Sequence, residues 1–242
     1  MSTPSLIVAC QHKYGYRMCQ NDEMAKVQTK ERQRGRPKVA DSVPVDAILT
    51  VALKQFATLG YEGASLRTIN RELGVSHNLI YQRFGTKDDL WRAAVDYGFG
   101  GLVNELHAVF DPTISEPLEQ LRLSIRRFLT YSAAHPELLA LMNNEGRQDA
   151  ERLRYIYETY IEPSQAQVVR LLHHLTEEGV IRRITHRSFF FLATHGGAAP
   201  FSLVPLATLL DPAPPNDPAA IEQQADIVST VLIEGLRLSP KR

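Results

Sequence analysis

The chain has 242 residues, and its 27 Lys and Arg are balanced by 27 Asp and Glu, so the formal net charge is zero. A hydrophobic fraction of 44% and a charged fraction of 22% exclude disordered, collagen-like and disulfide-scaffold classes. At roughly 150 residues per domain, this length allows one large or two small domains and a sizeable core.

The N-terminal stretch is polar. Cys10 and Cys19 stand in it without further Cys or His at zinc spacing, so neither a metal finger nor a disulfide framework is expected. The run Leu6-Ile7-Val8-Ala9-Cys10 resembles a lipoprotein cleavage box, but no Lys or Arg precedes it and it is too short for a signal segment. Nowhere is there a run of ~18 apolar residues, so no membrane span and a cytoplasmic location are expected. Residues 1–40 carry no sustained period, and Lys30-Glu31-Arg32-Gln33-Arg34-Gly35-Arg36-Pro37-Lys38 reads as a flexible basic arm. The weak coding character of residues 1–23, with Met18 and Met24 inside or beside them, raises the hypothesis that translation starts downstream. N-terminal mass spectrometry finding Met1 or Ser2 on the native protein refutes it.

From Val45 the pattern turns helical. Val45, Ile48, Leu49, Ala52, Leu53 and Phe56 recur at three- and four-residue steps, and Gly60 supplies a left-handed stop. Ser65 is placed to cap a short second helix with Leu66, Ile69 and Leu73 on one face, ended by Gly74. Ser76 is placed to cap a third, whose Ile80 and Phe84 point inward. Two short helices joined by Leu73-Gly74-Val75-Ser76 form a helix-turn-helix pattern. Beyond Lys87 helices follow throughout, with breaks expected at Asp111-Pro112, His135-Pro136, Asn143 to Asp149, Glu178-Gly179 and Pro200 to Pro218. The segments 188–199 and 219–238 are apolar over so wide a face that a partner subunit is the economical cover.

Charge is unevenly divided. Residues 1–100 hold 14 basic and 10 acidic side chains, a net of +4, and the remainder 13 and 17, a net of −4. A basic end joined to a helix-turn-helix is the footprint of a protein that neutralises phosphates.

The segment Ser65 to Leu90 resembles the DNA-binding domain of the TetR family of bacterial transcriptional regulators. The resemblance rests on Gly60-Tyr61, Ser65, Gly74-Val75-Ser76, Tyr81-Gln82-Arg83-Phe84 and Lys87-Asp88-Asp89-Leu90, in order and with the family's spacing. Asn70 and Leu73 replace small alanines usual on the second helix, and Arg83 replaces the usual His or Tyr. The resemblance implies an all-α protein with a flexible basic arm over 1–40, a three-helix DNA-binding domain over 41–90, and a helical-bundle effector-binding and dimerisation domain over 91–240. It further implies a homodimeric repressor that binds a palindromic double-stranded DNA operator and is released by a small-molecule effector, with no cofactor.

With Ile80 and Phe84 inward, the third helix offers His77, Asn78, Tyr81 and Gln82 to the major groove, with Leu79 at the margin. Asn78 and Gln82 suit adenine N6/N7, His77 suits a guanine acceptor or a phosphate, and Leu79 suits a thymine methyl. Ser65, Thr68, Ser76, Tyr81, Arg83 and Lys87 are expected around the phosphates, where contacts fix register. Arg34-Gly35-Arg36-Pro37 is also the core found in AT-hook peptides. Either Arg34 and Arg36 enter a narrow A·T minor groove, or the arm stays solvated and adds counterion-release affinity.

For the effector cavity, Trp91, Tyr97, Phe128, Tyr131, Met142 and Tyr155 are the candidate lining, with Phe99, Tyr157 and Tyr160 as further candidates, although any single aromatic is more often plain core. Gly98, Gly100 and Gly101 fall inside the long helix from Asp88 to Phe110, where they mark a bend, a close approach to the cavity or tight packing. His173, His174, Glu177 and Glu178 form i,i+4 pairs capable of metal ligation, although a solvated helix face is the more economical reading. No Gly-x-Ser-x-Gly elbow, Walker loop or dinucleotide fingerprint occurs. The protein is therefore not expected to be an enzyme; the alternative is an all-α enzyme or metal-binding bundle, which operator binding in a gel shift excludes.

Overall fold

Polar caps and left-handed glycines punctuate a helical chain. The computed structural model describes residues 43–76, 78–110, 116–148 and 150–239, and among these the only strand-like feature is an isolated bridge between Ile181 and Arg237. The helices are α1 (Val45–Gly63), α2 (Leu66–Glu72), α3 (Leu79–Phe84), α4 (Lys87–Val109), α5 (Pro117–Ala134), α6 (Pro136–Glu145), α7 (Glu151–Ile156), α8 (Glu162–Glu177), α9 (His186–Phe191), α10 (Ala198–Ser202), α11 (Val204–Leu210) and α12 (Pro218–Leu236). Two π-helical turns, Tyr157–Ile161 and Leu192–Gly197, join α7 to α8 and α9 to α10.

Local chemistry accounts for the boundaries. Ser65, Thr86, Thr185 and Asp217 each accept a backbone N–H at the start of a helix, which is worth about 1 kcal/mol per cap. Gly74 and Gly179 adopt positive φ at the ends expected for them, while Gly60 does so inside α1, where it kinks the helix and the chain continues helical to Gly63. The proline-rich stretch is more ordered than its composition suggests. Pro200 lies inside α10 and Pro205 in the first turn of α11, where a missing N–H leaves no helical bond unmade, so the break from Pro200 to Pro218 contracts to Leu203 and residues 211–217.

The apolar stripes gather into two cores. The first joins Ile48, Phe56, Ile69, Leu79, Ile80 and Trp91 of the N-terminal helices to Leu138, Leu141 and Ile156 of α6 and α7. It therefore runs past residue 90, and α1 packs on α6 as well as on α4. The second joins α5, α8, α9, α10 and α12 through Leu121, Leu129, Leu172, Phe189, Phe201 and Ile233. Along its rim Arg122 pairs with Glu234 at 3.1 Å, and Arg126 pairs with Glu222 at 2.8 Å and with Asp226, tying α5 to α12.

α4, one 23-residue helix, lends Leu90, Trp91, Val95 and Phe99 to the first core and packs on α5 of the second. Its glycines serve tight packing: a Cβ on Gly98 would stand 2.6 Å from Leu138 and 2.8 Å from Leu53, and one on Gly101 would meet the Tyr131 hydroxyl. A Cβ on Gly100 meets nothing within 4 Å. No single helix among the described residues is long and apolar enough to cross a membrane.

Candidate functional site

The helix-turn-helix is built on side chains that face away from solvent. Ser65 Oγ accepts the Thr68 N–H at 3.1 Å and lies 2.7 Å from Thr68 Oγ1, so both hydroxyls are engaged at the start of α2. After α2, Gly74 and Val75 return their N–H groups to the Arg71 and Asn70 carbonyls at 3.2 and 3.0 Å. Asn70 is buried beneath this turn, which is how an amide takes the place of a small alanine.

Two expectations for α3 change. Ser76 makes no side-chain cap; Asn78 occupies the capping position, and Ser76 contributes its carbonyl to the Leu79 N–H at 3.1 Å. Leu79, expected at the DNA margin, is 3% exposed and packs in the first core beside Ile80. It therefore cannot lie on a thymine methyl while the domain keeps this packing. The outward face consists of Asn78, Tyr81 and Gln82, with Tyr81 66% exposed. His77, Arg34 and Arg36 lie outside the described residues.

Arg83 turns back and donates from Nη1 to the Val43 carbonyl, holding the chain ahead of α1 against α3. Lys87 Nζ stands 4.4 Å from the centre of the Tyr61 ring and 3.5 Å from the Glu62 carbonyl oxygen, at the first residue of α4. That start is fixed by a reciprocal cap in which Asp89 N–H donates to Thr86 Oγ1 at 3.1 Å and Thr86 N–H donates to Asp89 Oδ2 at 3.0 Å.

Polar links fasten this unit to the bundle. Arg152 donates to the buried Glu145 at 3.1 Å while its guanidinium lies 4.0 Å from the Tyr61 ring centre. Arg92 bridges Asp88 at 3.0 Å and Glu151 at 2.9 Å, and Asn144 donates to the Ala57 carbonyl at 2.8 Å. Deeper, Tyr155 and Tyr160 both donate to Asp96 Oδ1 at 2.6 Å. Burial, then the bond to Asp96, pushes both phenols well above their ordinary range.

Within the bundle lies a cavity of about 100 Å³ whose wall includes Phe99, Phe128, Leu138, Met142, Tyr160, Phe189, Phe190 and His195. Of the residues anticipated for it, Phe99, Phe128, Met142 and Tyr160 line it. Trp91 is instead core beneath α1, near Tyr61 and Tyr155, and Tyr155 is drawn to Asp96. Tyr97 is exposed, and Tyr131 covers the glycines of α4 with its hydroxyl 3.4 Å from the Gly98 carbonyl oxygen. Phe189, Phe190 and His195 escaped the sequence reading because their segment was assigned to the subunit interface.

The wall is less polar than its composition. Ser124, Ser164 and Thr194 donate their hydroxyl protons to the Leu121, Ile161 and Phe190 carbonyls at 2.7, 2.9 and 2.8 Å. Both π-helical turns contribute, through Tyr160 and Ile161 on one side and Thr194 and His195 on the other. Such turns are frequent at functional sites. On α8, His173 pairs with Glu177 at 3.1 Å on an exposed face, and no group of three metal-ligating side chains occurs among the described residues.

Comparison with known proteins agrees with this geometry. Over 103 residues the chain is 32% identical to the HTH-type transcriptional repressor SCO4008 of Streptomyces coelicolor, covering 42% of this chain and 48% of that protein. Over 66 residues it is 39% identical to the HTH-type transcriptional repressor ComR of Escherichia coli, covering 27% and 30%. The chain thus spans about half the length of one of these relatives and less than a third of the other. The fold is similar to that of the TetR family transcriptional regulator PfmR from Thermus thermophilus, with a TM-score of 0.57 at 21% identity over 82% of this chain and 100% of that one. The model of the bacterial regulatory proteins of the tetR family matches residues 48–94, which run from α1 into α4. Over these N-terminal helices the chain is similar to the bacterial regulatory proteins of the tetR family.

Proposed function

We propose that the protein is a transcriptional repressor that binds a palindromic operator as a homodimer and is released by a small-molecule effector, without catalysing a reaction. The observation that carries this reading is the outward face of α3: Asn78, Tyr81 and Gln82 stand exposed on a helix whose other face, Leu79 and Ile80, is anchored in the core. Asn78 and Gln82 read bases, and amides of this kind pair with adenine N6/N7 in the major groove. Tyr81, Lys87, the Ser65-capped end of α2 and the basic arm with Arg34 and Arg36 hold phosphates. The relatives' description as repressors supports the sign of regulation.

A second copy docks on α9 and α12. Phe191 of α9, Leu192 just after it, and Ile227 and Val231 of α12 are each at least half exposed, leaving apolar surface that a symmetric four-helix contact covers. In that dimer the two α3 helices enter half-sites about one helical turn, ~34 Å, apart. The cavity receives the effector, and α4 and α6 carry the displacement to the DNA-binding unit.

Selection of binding sites from random DNA, followed by footprinting, tests the proposal. A two-fold symmetric site whose sequence preference relaxes in Asn78→Ala and Gln82→Ala is expected; no enriched site, or unchanged preference in both variants, overturns it.

A further inference from the structure

A wider cleft of about 630 Å³ opens beside the cavity, and Met142, Ile161, Phe190 and His195 are walls of both. Both are walled mainly by apolar side chains, and the cleft differs by adding basic groups. The first is enclosed by aromatic and aliphatic side chains, with its Ser124, Ser164 and Thr194 hydroxyls already committed to helix carbonyls. The second sets Arg147, Arg187, His186 and His195 among Leu153, Tyr157 and Phe191.

Among the described residues, no carboxylate lines either space. Composition does not explain this, because residues 101–242 hold 17 acidic side chains against 13 basic ones. Arg92, Arg122, Arg126 and Arg152 each face Asp or Glu, whereas Arg170, Arg182 and Arg183 face none among the described residues but line neither space. Arg147 and Arg187 have no ion pair or hydrogen bond among the described residues. Two guanidiniums without a carboxylate partner, in a cleft that shares walls with an apolar cavity, favour a ligand with one anionic and one apolar end. A planar carboxylate matches the guanidinium fork best.

Size narrows the class. An apolar cavity of ~150 Å³ accepts a benzene ring, so about 100 Å³ suits a short alkyl chain, or a single ring once the side chains give slightly. His195 stands at the boundary, bonded at 3.0 Å to Asn143 and at 2.9 Å to Thr194, so the shared wall joins α6 to the π-helical turn after α9.

We propose that the cavity and cleft bind a small amphipathic carboxylate, its apolar end among Phe128, Phe189 and Tyr160 and its carboxylate at Arg147 and Arg187. The regulatory meaning of this site rests on the effector-release reading above; the binding itself does not.

Isothermal titration of the full chain with hexanoate, octanoate and phenylacetate, each against hexanol, octanol and phenethyl alcohol, tests the charge requirement. At least one carboxylate is expected to bind about tenfold or more tighter than its alcohol. The doubly substituted Arg147→Gln, Arg187→Gln protein, with an unchanged melting temperature, is expected to lose that preference while binding the alcohols as before. Equal affinities for acids and alcohols, a preference that survives in the double variant, or no binding by any member overturns the proposal. Gel shifts with the same compounds separate the two readings. Carboxylates that bind with the expected preference yet leave the operator complex intact keep this site and remove the effector reading; operator release by the alcohols alone does the reverse.

Discussion

Tyr160 donates a 2.6 Å hydrogen bond to Asp96 Oδ1 while its ring forms part of the cavity wall, so one side chain joins the ligand space to the helix that leaves the DNA-binding unit. Asp96 accepts a second bond from Tyr155, whose ring stands 6.0 Å from that of Trp91 under α1. A ligand that displaces Tyr160 must therefore either break a bond to a carboxylate or move α4 with it. In the proposed effector mechanism this is the element that both sites bias, which a claim of coupling requires.

Tyr160→Phe is expected to keep ligand affinity but to weaken the reciprocal effect of octanoate on operator binding, and to cost about 1.5–3 kcal/mol of stability for the lost bond to a charged acceptor. The same pair sets an alkaline limit. Both phenols are raised from 10.0 in the folded protein, chiefly by burial and then by Asp96. Their contribution is thus complete below pH 10 and is lost as pH rises above it, because the unfolded chain ionises first. Each tyrosine contributes at most about 1.4 kcal/mol per pH unit there, less what solvent screening removes. Urea unfolding between neutral pH and strong alkali checks this: the slope above pH 10 is shallower in Tyr155→Phe, Tyr160→Phe, and an identical slope in parent and double variant refutes the assignment.

Neighbouring positions on α3 are expected to separate folding from recognition. Leu79→Ala empties core volume and costs about 2–5 kcal/mol, with operator affinity falling only through unfolding. Gln82→Ala touches an exposed side chain and shifts stability by less than about 0.5 kcal/mol, yet loses about 1–3 kcal/mol of discrimination at one base pair. Thermal melts paired with titrations of single-base operator variants distinguish the outcomes. Equal loss of stability in the two variants contradicts the burial pattern.

These contrasts show where a one-dimensional pattern carries information. Ser65, Gly74 and Gly179 were legible because a cap or a positive φ depends on a few adjacent residues. Ser76 failed as a cap because the turn continues until Asn78, and a Ser two residues early is an equally good candidate in sequence. Leu79 was misplaced because a six-residue helix gives too few turns to fix its phase; burial of two adjacent side chains is decided by α1 and α2. The cavity was legible only as an aromatic-rich bundle. Whether Tyr131 or Tyr160 faces it depends on how α4 meets α5 and on a π-helical turn, and neither leaves a local signature.

The glycines of α4 give a test of packing that does not depend on any ligand. Gly98→Ala forces a methyl between Leu53 and Leu138, and Gly101→Ala forces one against Tyr131, each costing about 1–3 kcal/mol. Gly100→Ala meets nothing within 4 Å and stabilises the helix by up to about 1 kcal/mol. Denaturant midpoints should therefore rank Gly100→Ala above the parent and the other two below it. Parity among the three would mean that α4 does not lie this close to α1, α5 and α6.

The proposed subunit contact is open to a substitution that leaves the isolated chain intact. Val231 is 65% exposed on α12 and Ile227, one turn earlier, is 50% exposed, so a glutamate at either position is tolerated by the monomer within about 0.5 kcal/mol. Across a two-fold axis the same change appears twice in one small patch, burying like charges without partners at a cost of several kcal/mol. Val231→Glu is therefore expected to be monomeric by light scattering, with helical content unchanged by circular dichroism. Its operator affinity falls steeply because each half-site must then be bound independently. A Val231→Glu protein that stays dimeric would move the interface away from α12, and Leu209 on α11, 84% exposed, becomes the next position to charge.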